Sequence, residues 1–251
     1  MEYIKLTKDN LGKEHICCAI SNNSDVQVSS KKAWLSDRLD EGLVFLKSIE
    51  RGKCFIEYIP AENAWIPLDA AGYTYIDCLW VSGSFKGHGY SNELLGECIR
   101  DSKEQSRKGL CILSAEKKKP FLADPKYLKH KGFEVCDEAD NGIQLWFLPF
   151  EKDAAEPQFK PCAKHPRVEE HGFVLFYTSQ CPFNAKYVPI IERVARDQGV
   201  MFRAIHLRTK IAAQNAPTPV TTYALFLDGE YLTSEQMNEA RFLKLLAARN
   251  A

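Results

Sequence analysis

A strand that stops in glycines and restarts as a helix constrains this chain more than any other stretch. Residues 73–81 read Tyr-Thr-Tyr-Ile-Asp-Cys-Leu-Trp-Val, rich in β-branched and aromatic side chains, and predict a strand. Val81 to Ser91 then reads Val-Ser-Gly-Ser-Phe-Lys-Gly-His-Gly-Tyr-Ser. Beyond it Leu94, Leu95, Cys98 and Ile99 share one face of a helix. Gly87 and Gly89 carry no Cβ, so the backbone there can adopt unusual dihedrals and approach a ligand closely. Successive N–H groups at a helix N-terminus point outward, and the macrodipole adds its own preference for negative charge. Lys86 places an ammonium at the rim. The stretch therefore suits a phosphate or diphosphate. It is not a P-loop, because Tyr90-Ser91 follows Gly89 where Lys-Ser/Thr is needed, nor a complete dinucleotide fingerprint, because Asn92 replaces the third glycine. A turn that merely reverses the chain is the alternative.

With 45% hydrophobic and 26% charged residues among 251, the chain has room for one large or two smaller globular domains, and extensive disorder is excluded. Lys plus Arg and Asp plus Glu both total 33, so no global charge argues for nucleic acid or an anionic membrane. No apolar run approaches transmembrane length and no basic-then-apolar leader opens the chain, which sets a cytoplasmic expectation. Nine cysteines lack a disulfide-scaffold spacing, and Cys78, Cys98 and Cys111 fall inside apolar periodic segments, as reduced, buried thiols do.

Along the N-terminal part, strands are expected at residues 3–6, 43–49, 53–59, 63–68, 73–81 and 110–115, from Phe133, and at 143–148. Helices are expected at residues 13–21, 30–41, 92–107 and 125–132, with Asn141-Gly142 as a hairpin turn.

Val81-x4-Lys86-Gly87-x-Gly89-x-Ser91 resembles motif A of the GNAT N-acetyltransferases, Val-x-Pro-x-x-Arg/Gln-Gly-x-Gly-x-Gly/Ala, with Gly83, Lys86 and Ser91 as departures. Lys keeps the charge of Arg but loses its fork. The order of elements up to about Phe150 agrees, and Lys131-Gly132-Phe133 resembles the family's Tyr-x-x-x-Gly-Phe ending. The resemblance implies a mixed, mostly antiparallel α/β (α+β) sheet with flanking helices. It further implies acetyl-coenzyme A as co-substrate, without a metal, and direct attack of an amine on the thioester. Cofactor contacts carry over to Lys86, Gly87, His88, Gly89, Tyr90 and Ser91, and the oxyanion N–H to the strand around Leu79 and Val81. The family's acidic tyrosine falls on Leu128, with Tyr127 beside it, and its preceding asparagine on Phe121. Candidate bases are Asp77, Glu57 and Glu116, each of which could equally be a surface or salt-bridged carboxylate.

Between Glu151 and Gly172 the composition turns to Pro157, Pro161 and Pro166 among Lys, Glu and Ala, which reads as a connection between domains. Cys162-x-x-His165 with His171 is too sparse for a zinc site. After it come a strand at 173–178, Cys181-Pro182-Phe183-Asn184, a helix bearing Val188, Ile191, Val194 and Ala195, and strands at 201–207, 220–227 and 231–232. A last helix carries Met237, Phe242, Leu245 and Leu246, capped by Ser234. This order resembles the thioredoxin/glutaredoxin fold. Asn184 stands where the resolving cysteine would, and Pro219 where that family has a cis-proline. Its union with a GNAT domain resembles the YoaP-type proteins. The division expected is 1–150, 151–171 and 172–251. A cysteine at a helix N-terminus should be acidified, so Cys181 could react as a single thiol, line a substrate site, or be a structural remnant. The reading is thus an acetyltransferase acting on a small-molecule or peptide amine, possible as a homodimer. A single-thiol redox or electrophile-handling protein with an inactive acyl-CoA domain is the alternative.

Overall fold

The computed structural model describes residues 1–16, 18 and 22–249. The N-terminal part runs β1 (Tyr3–Lys5), α1 (Lys8–Leu11), α2 (Val26–Leu39), β2 (Val44–Ser48), β3 (Lys53–Pro60), β4 (Leu68–Asp69) and β5 (Tyr73–Ser82). It continues with α3 (Tyr90–Glu104), β6 (Gly109–Ala115), α4 (Pro125–His130), β7 (Glu134–Glu138) and β8 (Ile143–Pro149). Seven of these strands form one sheet in the order β1-β2-β3-β5-β6-β8-β7. Only the β5–β6 pair is parallel. The mixed, mostly antiparallel sheet with flanking helices is the architecture the resemblance implied.

Alternation along the strands sorts the core into two faces. Leu110 and Ile112 of β6, Cys54 and Ile56 of β3 and Trp146 of β8 face α3, through Leu94, Leu95 and Cys98, and α4, through Leu128. Cys111 and Leu113, Phe55, and Ile143, Leu145 and Phe147 face the opposite side, where α2 supplies Val28, Trp34 and Leu35.

The rest of the chain comprises β9 (Gln158–Phe159), α5 (Pro161–Lys164), β10 (Phe173–Tyr177), α6 (Asn184–Asp197), β11 (Phe202–His206), α7 (Lys210–Gln214), β12 (Tyr223–Leu227), β13 (Glu230–Thr233) and α8 (Glu239–Arg249). Its four-stranded sheet has the order β11-β10-β12-β13, with β10 and β11 parallel and the other pairs antiparallel. Phe173, Leu175, Tyr223 and Leu225 pack under α6 and α8. Their neighbours Val174, Phe176, Ala224 and Phe226 point the other way and join the core of the N-terminal sheet. The two units thus share apolar interior. Polar ties cross the same seam: Thr221 Oγ1 donates to Trp65 O at 2.6 Å, and Gln214 Nε2 to Ala64 O at 2.9 Å.

Several local expectations are corrected. Residues 13–16 form a turn and loop rather than a helix, which lies at Lys8–Leu11 with Thr7 and Asn10 in a reciprocal capping box; residues 17 and 19–21 of that expectation lie outside the described ones. Residues 63–68 are mostly irregular, and β4 pairs with β9 rather than with the main sheet. The proline-rich connection is a packed strap: Phe159 and Ala163 are buried, Phe159 N donates to Asp137 Oδ2 at 2.7 Å, and Lys164 pairs with the same carboxylate. Ser234 caps nothing. Its hydroxyl pairs with that of Tyr231, while Asn238 Oδ1 accepts from Arg241 N at the start of α8. His165 pairs with Asp140, and among the described residues no three metal-ligating side chains converge.

Candidate active site

The parallel pair is short. β5 and β6 are in register only from Tyr73–Gly109 to Tyr75–Cys111, after which β6 stays with β8 and β5 stays with β3. The strands splay there, leaving the β5 edge from Ile76 onward, including Leu79 and Val81, without a strand partner on that side. The register of β5 against β3 also slips at this point: Glu57 faces Cys78 and Tyr58 faces Ile76, so Asp77 is the extra, bulged residue.

At the far end of β5 the chain makes a 3-10 turn over Gly83–Phe85 and enters α3 through Gly87 and Gly89, with φ of 89° and 82°. Such values suit glycine alone without strain. Phe85 is buried and anchors the turn. The amides of Gly87, His88, Gly89, Tyr90 and Ser91 have no acceptor among the described residues. A Cβ built on Gly83, Gly87 or Gly89 would meet no atom within 4 Å. Lys86 and His88 are exposed, and the His88 ring stacks on Tyr90 at 5.5 Å. The turn thus borders open space with acceptor-free amides and one ammonium, an arrangement suited to a diphosphate. Tyr127 lies against the same helix, α3: its hydroxyl donates to Ser91 O at 2.9 Å and its ring borders the core in which Leu128 is buried. Burial raises the Tyr127 phenol, with the Ser91 contact opposing.

Around the bulge lies a second group of chemistry-bearing side chains. Lys31 of α2 and Glu57 of β3 are each 1% exposed, with Lys31 Nζ 2.7 and 2.6 Å from the two Glu57 oxygens. Burial works to lower the Lys31 ammonium, but Glu57 and the neighbouring acids outweigh it and hold the pKa above its ordinary value. Asp77 is raised well above the carboxylate range, by burial first and the Glu57 charge second, with Lys31 opposing. Its Oδ1 accepts from Gln180 Nε2, 3.2 Å away on the loop after β10. Cys18, Cys78 and Cys181 gather at the same ion pair, close enough for each thiolate to oppose the others. Glu116 stays exposed beyond β6 and takes no part.

Cys181 overturns its expectation. α6 begins at Asn184, and the thiol lies at the seam between units, where burial raises its pKa despite help from the Phe183 amide, Lys31 and the Gln236 amide. Gln236 Nε2 donates to the sulfur at 3.3 Å. Asn184, in the place of a resolving thiol, is a structural amide that donates to Thr178 O at 3.0 Å and accepts from Gln236. Among the described residues no peptide bond is cis, so Pro219 follows an ordinary trans link. Gln180 and Lys31 were not visible as site residues. Gln180 lies 103 positions from the carboxylate it holds, and no local pattern marks such a pairing.

The chain is 42% identical over 247 residues to the uncharacterized N-acetyltransferase YoaP of Bacillus subtilis (strain 168), covering 98% of each. It belongs to the YoaP family of N-acetyltransferases. The YoaP-like family model itself matches residues 202–244, from β11 into α8. YoaP membership makes the chain an acyltransferase. Among solved structures it is similar to a ribosomal-protein-alanine N-acetyltransferase from Brucella melitensis, with 16% identity, TM-score 0.43, and coverage of 60% of this chain and 100% of that one. A GNAT family acetyltransferase from the same organism in complex with acetyl-CoA gives 14% identity, TM-score 0.39, and coverage of 62% and 91%. The assignment rests on the Bacillus relative. No helix among the described residues is long and apolar enough to cross a membrane.

Proposed function

We propose that this YoaP-family protein acetylates a small-molecule or peptide amine from acetyl-CoA, with the diphosphate on the amides of Gly87 to Ser91 and Lys86 beside it. The carrying observation is that these amides have no acceptor among the described residues and border open space. Acetyl-CoA supplies the thioester, whose acetyl carbon takes the amine lone pair and whose sulfur leaves as the thiol. The free edge at Leu79 and Val81 lies between the cradle and the bulge, so its backbone donors are placed to stabilise the oxyanion. Asp77 is the base: an amine must lose a proton to acylate, and a carboxylate raised toward neutrality accepts one better than an ordinary one. Glu57, paired through both oxygens with Lys31, tunes Asp77 rather than touching the amine. Tyr127 of α4, whose hydroxyl meets the first turn of α3 at Ser91 O, is the proton donor for the departing sulfur.

The units divide at 1–150, 151–171 and 172–251, and the strand order and directions of the last support a thioredoxin-like module. That module closes the acceptor side instead of performing redox chemistry, because its half-buried thiol is raised by desolvation and not acidified. Calorimetric titration tests the reading. Acetyl-CoA should bind the native chain, and Lys86→Ala should weaken it by about tenfold or more through loss of a charge-assisted contact. A native chain that ignores millimolar acetyl-CoA would end the proposal.

A further inference from the structure

The seam between the units holds an amide that is only half used. Gln180 is 7% exposed; its Nε2 donates to Asp77 Oδ1, while its Oε1 has no donor among the described residues. A buried carbonyl oxygen without a donor is costly unless a ligand completes it. This one is fixed at the bulge, two residues past the last β5–β6 register pair. The charges bearing on Asp77 come from Glu57 and Lys31, and Lys31 is engaged by both Glu57 oxygens. The other groups that feel Asp77 are the thiols of Cys78 and Cys111 and the phenol of Tyr75, with Cys18 and Cys181 at the same ion pair, all raised by burial and so uncharged near neutral pH. The place thus offers oxygens to an N–H and, among the described residues, no uncommitted cation to an anion.

We propose that Gln180 Oε1, contributed by the C-terminal unit, receives an N–H of the acceptor amine beside Asp77, and that the acceptor is an amine with no carboxylate next to it. This rests on the acetyltransferase reading above and adds the substrate class and the residue that selects it. A free amino acid would bring its α-carboxylate against Asp77 and Glu57 with no cation left to meet it. The corresponding carboxamide, peptide N-terminus or simple amine would not.

The test uses the full chain, acetyl-CoA, and a set of free amino acids, each beside its carboxamide and its decarboxylated amine, with N-acetyl product measured by mass spectrometry. The carboxamides or amines should react at least about 100-fold faster than the parent acids, as an unmatched charge in a buried site demands. Gln180→Met should raise KM for the preferred probe by about 10- to 100-fold and leave KM for acetyl-CoA unchanged, the scale of one lost hydrogen bond in a dry site. Should Gln180→Met not fold, Gln180→Asn, shorter by one methylene, takes its place. Thr221→Val loosens the same seam at Trp65 without touching Asp77 and should alter neither KM. Equal rates for parent acids, no product from any amide or amine while acetyl-CoA binds, or the same KM change in Thr221→Val would each overturn the proposal. Absence of acetyl-CoA binding would instead remove the cradle beneath it.

Discussion

Two glycines make opposite predictions, and the contrast isolates the cradle. Gly89 sits at φ 82°, and an added Cβ there meets no protein atom within 4 Å. The cost of Gly89→Ala to folding is then the backbone term alone, about 1–2 kcal/mol for an L-residue in the left-handed region. In a chain of this size that lowers Tm by about 2–8 °C. The methyl group stands instead among the amides of Gly87 to Ser91, so acetyl-CoA affinity should fall about tenfold or more. Gly109 is the reverse case. A Cβ there would lie 2.4 Å from Leu148 O, 2.8 Å from the Tyr73 ring and 2.9 Å from Pro149 Cα. Backbone atoms of β8 cannot yield cheaply, so Gly109→Ala should cost at least about 3 kcal/mol, while the protein that remains folded binds acetyl-CoA normally. Thermal unfolding and calorimetric titration on both variants decide the matter. If folded Gly89→Ala binds acetyl-CoA as tightly as the native chain, the diphosphate does not rest on these amides.

The remaining predictions concern the bulge and the thiols. Asp77 binds its proton more tightly folded than unfolded, so its effect on stability is absent well below the ordinary carboxylate pKa and grows unfavourable as pH rises toward the folded pKa. Asp77→Asn should therefore be more stable than the native protein at pH 8 in denaturant titrations, with the gap closing toward pH 4, and should lose most activity; a gap independent of pH refutes the assignment. Glu57→Gln removes the negative neighbour that raises Asp77 and frees the Lys31 charge to lower it, so the acid limb of kcat/KM should move to lower pH. Tyr127→Phe should reduce kcat about 100-fold with little change in KM for acetyl-CoA. Iodoacetamide with peptide mapping at neutral pH should label exposed Cys162 well before Cys181, and faster labelling of Cys181 would restore the thiolate that burial argues against.

The glycine turn between β5 and α3 was legible in the sequence because its signal is local: glycines needed at positive φ, a strand ahead and a helix behind. The alternation that placed β3, β6 and β8 was equally local, and each strand falls within a residue or two of its expected bounds. What escaped depends on distant partners. Residues 63–68 alternate like a strand, yet the edge they would occupy is already filled by β5, and only β4 survives, paired with the strap. Proline spacing marked a connection but not its packing, because composition does not reveal that Asp137 binds Phe159 N and Lys164. Cys181 was expected to be acidic from its place before a helix, and desolvation at the seam reverses that. Where the two neighbouring side chains of α4 lie was likewise not local information. Leu128 is buried in the core under α3, and Tyr127 packs at its border with its hydroxyl on Ser91 O, a choice fixed by the packing of α4 and not by the motif.

Because Val174, Phe176, Ala224 and Phe226 lie in the same apolar mass as Trp65, Ile66 and Tyr75, the two sheets cannot swing apart like a clam without wetting that mass. A catalytic cycle is then expected to leave the two sheets together, with reactants meeting the protein where β5 and β6 part company.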